Sequence, residues 1–108
     1  MPGKTSQGSL FRLMSAEERN RASPDTFLIP KRTTRENVKV GFLVKLIFTS
    51  EDPPAGERMW VRVDGRRGPV YRGILQSKPV TMKDLIPGEE VRFGPEHICD
   101  VSPPDNDG

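Results

Sequence analysis

The chain's single histidine and single cysteine stand two residues apart, in Glu96-His97-Ile98-Cys99-Asp100. A histidine beside a cysteine can generate a thiolate nucleophile, and histidine with carboxylates can hold a metal. Alternation along an extended strand puts His97 and Cys99 on one face and Glu96, Ile98 and Asp100 on the other. Read that way, Cys99 is a small strand residue and His97 a rim group. A zinc site wants about four ligands, and the chain holds no second Cys or His to complete one from N and S donors. Gly65-Arg66-Arg67-Gly68 lacks the Lys-Ser/Thr that follows a phosphate-cradling loop, and a lone histidine near an acidic tail assembles no Ser/His/Asp relay. No catalytic, cofactor-binding or metal-binding residue is assigned.

A second grouping is larger. Arg58, Arg62, Arg66, Arg67 and Arg72 fall in Glu57–Leu75, ERMWVRVDGRRGPVYRGIL, interleaved with the only Trp, Trp60, and the only Tyr, Tyr71. Small β-barrels that bind single-stranded nucleic acid join a positive groove to aromatic stacking platforms. Glu57 and Asp64 dilute the field, so the stretch falls short of the strongly basic footprint of a dedicated nucleic-acid binder. Trp, Tyr and Arg are also the residue types enriched at protein-binding hot spots. Trp60, Arg62, Arg66, Arg67, Tyr71 and Arg72 are therefore the expected contact surface.

Composition limits what can carry such a surface. Of 108 residues, 33% are hydrophobic and 30% charged, with 11 Pro and 10 Gly. That is lean beside the roughly 45–50% apolar share of an average globular chain. The apolar residues concentrate between Phe42 and Ile98, so one small body is expected. One cysteine precludes an internal disulfide, and no apolar run approaches the roughly 18 residues that cross a bilayer. The expectation is a soluble, cytoplasmic monomer with no secretory leader and no membrane association. Residues 1–83 hold sixteen basic side chains against eight acidic, whereas residues 84–108 set Arg92 alone against seven acids. The acidic end reads as a solvated tail.

The elements follow from periodicity. Residues 1–10 are polar and Gly/Ser-rich, a disordered tail. Ser15 and Glu18 have capping-box spacing for a short helix over Ala16–Ala22, anchored by Phe11, Leu13 and Met14 and stopped before Pro24. Thr26–Pro30 reads as an edge strand or extended arm, and Thr33–Glu36 as a single capped turn. Phe42, Val44, Leu46 and Phe48 alternate with Leu43, Lys45 and Ile47, so this strand is apolar on nearly both sides and central, with something covering its second face. Glu51–Gly56 is a loop. In the hairpin Met59, Val61 and Val63 form the inner set of the first arm, and Val70, Arg72 and Ile74 oppose Tyr71, Gly73 and Leu75 on the second. The residues from Asp64 to Pro69 supply the turn, and Gly73 suggests a bulge or sharp bend. Pro79 and Thr81–Asp84 open a further capped turn. Short strands over Val91–Phe93 and Glu96–Val101 follow, and 102–108 is a disordered acidic tail.

Thr34–Leu46 and Thr81–Phe93 share one grammar at constant offset: capped turn, apolar residue, glycine, then a strand with a basic residue between apolar ones. Gly41 and Gly88 would each take the positive φ that ends the turn. Duplication and independent reuse of the same grammar both produce this echo.

Residues 41–100 resemble the bacterial family called "domain of unknown function 2314". The resemblance rests on Phe42–Phe48, Glu57-Arg58-Met59-Trp60-Val61, Gly73-Ile74-Leu75 with Pro79, Gly88–Phe93 and Glu96–Asp100. The chain departs from the family pattern at Ser77, Glu89 and Val101, where relatives tend to carry Asn, Asp and Trp. The resemblance implies a small bacterial α+β domain and supplies no activity and no catalytic residues.

Together these readings give an α+β, mainly β chain. They predict an N-terminal helix and arm over 11–40 and a core over 41–101. That core is a bent antiparallel sheet of about five strands, closed into an SH3-like or roll-like half barrel. Its interior is Phe42, Val44, Leu46, Phe48, Met59, Val61, Val63, Val70, Ile74, Leu85, Val91, Phe93 and Ile98, plugged at one end by Leu28 and Ile29. The expected function is a non-enzymatic interaction or regulatory module, without cofactors, for a protein partner. Weak binding of single-stranded nucleic acid is the alternative, and a cysteine- or metal-dependent enzyme the third reading.

Overall fold

A computed structural model describes residues 3–4, 10–51, 54–82 and 84–104. Seven strands form one antiparallel sheet: β1 (Gly3–Lys4), β2 (Leu10–Leu13), β3 (Leu43–Glu51), β4 (Pro54–Arg67), β5 (Val70–Leu75), β6 (Glu90–Phe93) and β7 (Asp100–Ser102). The first six lie in chain order across the sheet, and β7 pairs with β3. The ribbon curls into a half barrel whose inner face holds Val44, Leu46, Phe48, Met59, Val61, Val63, Val91, Phe93 and Ile98, each at most 2% exposed. Two short helices, α1 (Ala16–Ala22) and α2 (Arg32–Glu36), and a 3-10 turn at Pro95–His97 complete the described residues. No helix among them is long and apolar enough to cross a membrane.

β3 is central, as its two-sided apolar pattern requires. Its inner residues enter the main core, while Ile47 on the outer side packs with Ala16, Phe27 and Cys99 in a second, smaller cluster. The cover on that second face is therefore α1 and the segment after it. The β3–β4 hairpin is longer than sequence alone indicates: Glu51 pairs with Pro54, so Glu51 and Pro54–Gly56 are strand residues. Of the expected loop, Asp52 and Pro53 lie outside the described residues.

The central hairpin turns at Gly68-Pro69 alone. Strand pairing runs to Arg67↔Val70, and Gly68 takes φ +59°, the sign that a tight primed turn asks of its first central residue. The register shift falls at Asp64, between Val63 and Gly65, and not at Gly73. Beyond it Leu75 faces Val61 and Gly73 faces Val63, which sends Tyr71, Gly73 and Leu75 inward. The second arm is thus in the opposite phase to expectation: Val70 is 44% exposed and Ile74 only half-buried. Both parities of this arm carry apolar residues, so alternation alone cannot choose. The larger Tyr71 and Leu75 take the dry side. Gly73 is there for space: a Cβ would collide with Val61 Cγ1, and would stand 2.9 Å from the Arg62 carbonyl oxygen and 3.3 Å from Phe93 Cε1.

The echo between the two turn-strand units is real in three dimensions. Gly41 and Gly88 adopt φ +97° and +99°. Each donates to a residue of the neighbouring inner strand (Gly41 N to Val63 O, 2.9 Å; Gly88 N to Leu75 O, 2.7 Å). Each of those residues donates back to the position after the glycine, Val63 N to Phe42 O and Leu75 N to Glu89 O. The pairs Val44↔Val61 and Leu46↔Met59 correspond to Val91↔Gly73 and Phe93↔Tyr71. A local two-fold axis therefore runs through the β4–β5 hairpin. The outer strands match in the order turn, then strand, but β4 follows its outer strand whereas β5 precedes its own. A single tandem copy, which keeps one order and one offset, does not produce this arrangement.

The N-terminal third docks on the body. In α1 the Ser15 Oγ accepts from Glu18 N at 3.1 Å, the cap that the Ser-x-x-Glu spacing predicts. Phe11 is buried against Phe48, with ring centroids 5.3 Å apart. α2 begins at Arg32, one residue before the predicted cap, and has no side-chain cap. Thr26–Pro30 is an arm with no strand pairing, in which Phe27 is buried and Leu28 is 74% exposed, so Leu28 plugs nothing. Gly3–Lys4 pairs with Leu10–Phe11, so those residues are ordered strand where a disordered tail was expected. The rest of 1–9, and 105–108 of the acidic tail, lie outside the described residues. Ser102 belongs to β7.

Candidate contact surface on the central hairpin

The outer face of the curled sheet is where the basic side chains gather. With Met59, Val61 and Val63 turned inward, alternation sends Arg58, Trp60 and Arg62 outward from β4. Lys45 of β3, Arg72 of β5 and Arg92 of β6 join them through the pairings Lys45↔Trp60 and Arg72↔Arg92. Trp60 is half-buried, with the Lys45 ammonium 4.8 Å from its ring centroid. Its backbone is held rigidly: Trp60 N donates to Ser77 Oγ at 2.8 Å, and Gln76 N donates to Trp60 O at 2.9 Å. Arg58 lies over the Phe27 ring at 5.2 Å. Carboxylates stand at the margins: Asp64 pairs with Arg72 at 3.0 Å and Glu90 with Arg92 at 3.0 Å. The Arg62 side chain has no hydrogen bond or ion pair among the described residues.

At the turn end of the hairpin lies a cleft of about 420 Å³ lined by Arg66, Arg67, Tyr71, Arg72 and Arg92, with Gly65 and Val70. Arg66 is fixed on three sides. Its Nε donates to Gly68 O at 2.8 Å, its Nη1 to Glu36 O at 2.5 Å, and its guanidinium covers the Tyr71 ring at 4.7 Å.

Of the six predicted contact residues, Trp60, Arg62, Arg66, Arg67 and Arg72 reach the surface, and Tyr71 does not. Tyr71 is fully buried, stacked on Phe93 at 5.3 Å, and its hydroxyl donates to Arg35 O at 2.8 Å. Burial pushes the phenol above its ordinary range. The reversed phase of β5 is the physical reason: Tyr71 shares the inner side with Leu75, and its polar tip finds a carbonyl to satisfy it.

Three residues outside the predicted set hold this surface in place. Arg35 is 5% exposed and bonds Glu17 Oε2 at 2.6 Å, Pro30 O at 2.9 Å and Pro95 O at 3.0 Å. The Arg35 hydrogen bond holds the Glu17 carboxyl below its usual range. That cluster ties α1, α2 and the turn before β7 together beneath Tyr71. Glu57 accepts from Val80 N, Thr81 N and Met82 N at 2.7, 3.0 and 3.3 Å. Partial burial acts to raise its pKa, but the three amides outweigh it and the carboxyl sits below its ordinary value. Glu89 occupies the two-fold equivalent of Phe42 and is 2% exposed. Its Oε1 accepts from Ile86 N at 3.1 Å, and its Oε2 has no hydrogen-bond partner among the described residues. In sequence Arg35 and Glu17 carry only capping-turn signals, and nothing local marks them as interior.

His97 and Cys99 bond to different partners. The histidine belongs to the 3-10 turn, and its Nδ1 accepts from Gly94 N at 2.9 Å. Desolvation lowers its pKa, so the neutral ring is favoured. The Cys99 thiol donates to Lys45 O at 3.1 Å, and burial raises its pKa, the reverse of what a thiolate nucleophile needs. Among the described residues no three His, Cys, Asp or Glu side chains are grouped to hold a metal.

Comparison with protein-family models, with curated proteins and with solved structures found no match to this chain.

Proposed function

We propose that this protein is a non-enzymatic interaction module that docks an acidic protein surface on the outer face of its central hairpin. The observation that carries the reading is the position of Trp60. A half-exposed indole on a hydrogen-bonded backbone stands beside Arg62, whose side chain has no partner among the described residues, in a field of Lys45, Arg58, Arg72 and Arg92. Such a group offers apolar contact area at small entropic cost, ringed by donors for carboxylates. The thiol and imidazole of Cys99 and His97 are committed to backbone groups, which supports a binding role over a catalytic one.

Single-stranded nucleic acid is the second reading, favoured by the same cations. Removal of Tyr71 to the interior leaves Trp60 as the one aromatic ring of the hairpin at the surface, whereas stacking along a strand uses successive rings. A labelled oligothymidylate and a labelled polyglutamate of equal length separate the two. The protein reading expects tighter binding of polyglutamate and loss of it in Trp60→Ala/Arg62→Glu. Tighter oligonucleotide binding that weakens steeply as salt rises would replace it with the second reading.

A further inference from the structure

The cleft at the turn end of the hairpin has a composition that the docking face as a whole does not. Four arginines line it, and the guanidinium groups of three, Arg67, Arg72 and Arg92, stand on its outer side, whereas that of Arg66, paired with the inward Tyr71, covers the Tyr71 ring on the other side of the sheet. The carboxylates bonded to these three are Asp64 and Glu90, so one positive charge, that of Arg67, is left uncompensated. Two of the three are already oriented, Arg72 by Asp64 and Arg92 by Glu90. A guanidinium has five N–H donors, and these contacts consume one or two on each. The Arg67 side chain has no hydrogen bond or ion pair among the described residues. Preoriented forks with spare donors suit a tetrahedral oxyanion, which accepts from several at once. The volume exceeds what a single phosphate fills, and the exposed Val70 side chain offers an apolar lip to whatever carries the anion.

We propose that this cleft is a binding site for a phosphomonoester dianion, taken between Arg67, Arg92 and the spare donors of Arg72. The proposal rests on the reading of this hairpin as a contact surface and narrows it to one chemical group. Phosphate of this kind comes either from a small organic phosphate or from a phosphorylated side chain of a partner protein.

The test uses the full chain, labelled with nitrogen-15, in 0.15 M salt. Phenyl phosphate and a neutral phosphoserine peptide are titrated against sodium chloride of matched ionic strength and the unphosphorylated peptide. The expected result is a saturable shift of amides around Gly65–Arg72 and Arg92 that chloride does not reproduce. Arg67→Ala and Arg92→Ala should each weaken it about tenfold, the loss of one charged hydrogen bond. Both side chains are exposed, so unfolding midpoints read by Trp60 fluorescence should stay at the wild-type value and exclude a folding defect. Binding of phenyl phosphate without the peptide identifies a small-molecule site, and tighter binding of the phosphopeptide identifies a protein source. Either supports the proposal. Shifts that fail to saturate, that map elsewhere, or that survive both substitutions overturn it. Trp60→Ala/Arg62→Glu leaves the cleft intact, so loss of polyglutamate binding with phosphate binding kept separates failure of the cleft from failure of the docking face.

Discussion

Gly73→Ala should destabilise this fold by about 2–3 kcal/mol, and the reason is a collision, not a backbone conformation. Gly73 does not lie in the left-handed region, so an L residue can adopt its φ. In open space the substitution would stabilise by about 0.4–1 kcal/mol through the unfolded chain. Here the new methyl meets Val61 Cγ1 and stands 2.9 Å from the Arg62 carbonyl oxygen. The carbonyl belongs to a paired strand and cannot swing away. Overpacking of this kind costs about 1–3 kcal/mol, occasionally more, and the backbone contact places Gly73 at the upper end. Val61→Ala removes two buried methyl groups and should cost about 2–3 kcal/mol, transfer and cavity together. The double variant is the discriminating measurement. The methyl introduced by Gly73→Ala then occupies space that Val61 has left, so the two costs should fall short of additive by about 1–2 kcal/mol. Urea unfolding followed by Trp60 fluorescence and by far-ultraviolet dichroism reads all four states. Strict additivity would refute the assignment of Gly73 to close packing.

Three other outcomes follow from single contacts. Glu57→Gln should cost about 2 kcal/mol at pH 7, because a charged acceptor of three amides becomes a neutral one. Since the folded carboxyl sits below its ordinary 4.5, the wild-type advantage is complete above that pH and is lost as pH falls through the folded value, which paired urea titrations at pH 7 and pH 3 would show. Tyr71→Phe should cost about 1–2 kcal/mol by leaving the Arg35 carbonyl without its donor, and should speed amide exchange in Arg32–Glu36 ahead of β4. Cys99 should react with an aromatic disulfide reagent only as fast as the protein opens, and at the rate of a free thiol in urea; prompt reaction of the folded protein would restore the nucleophile reading.

What was legible in the sequence was whatever depends on neighbours along the chain. The Ser15 cap, the turn glycines Gly41 and Gly88, and the inner set Val44, Leu46, Phe48, Met59, Val61 and Val63 follow from spacing alone, and all stand in the structure. The phase of β5 does not. Val70 and Ile74 compete with Tyr71 and Leu75 on equal apolar terms, and the register that decides between them is set by Asp64, on the opposite strand. One displaced bulge therefore buried Tyr71, which the sequence placed in the expected contact surface, and left Val70 exposed. Arg35 was hidden for a different reason. Its partners at Glu17, Pro30 and Pro95 are distant in sequence, and a buried arginine is legible only once they are brought together.

The local two-fold also constrains how alike its halves can become. Near the axis the backbone of one half comes so close to the other that a single side chain fills the space both would need. Val61 fills it, and its two-fold equivalent, Gly73, is obliged to leave the space empty. Met59 and Tyr71, like Leu46 and Phe93, are two-fold equivalents of unequal size within one core. A sequence with identical halves would crowd the axis with two valines or hollow it with two glycines. Backbone related by a two-fold thus demands unlike residues at its centre, which is why the resemblance between the halves is written in the outer strands and fades toward the middle.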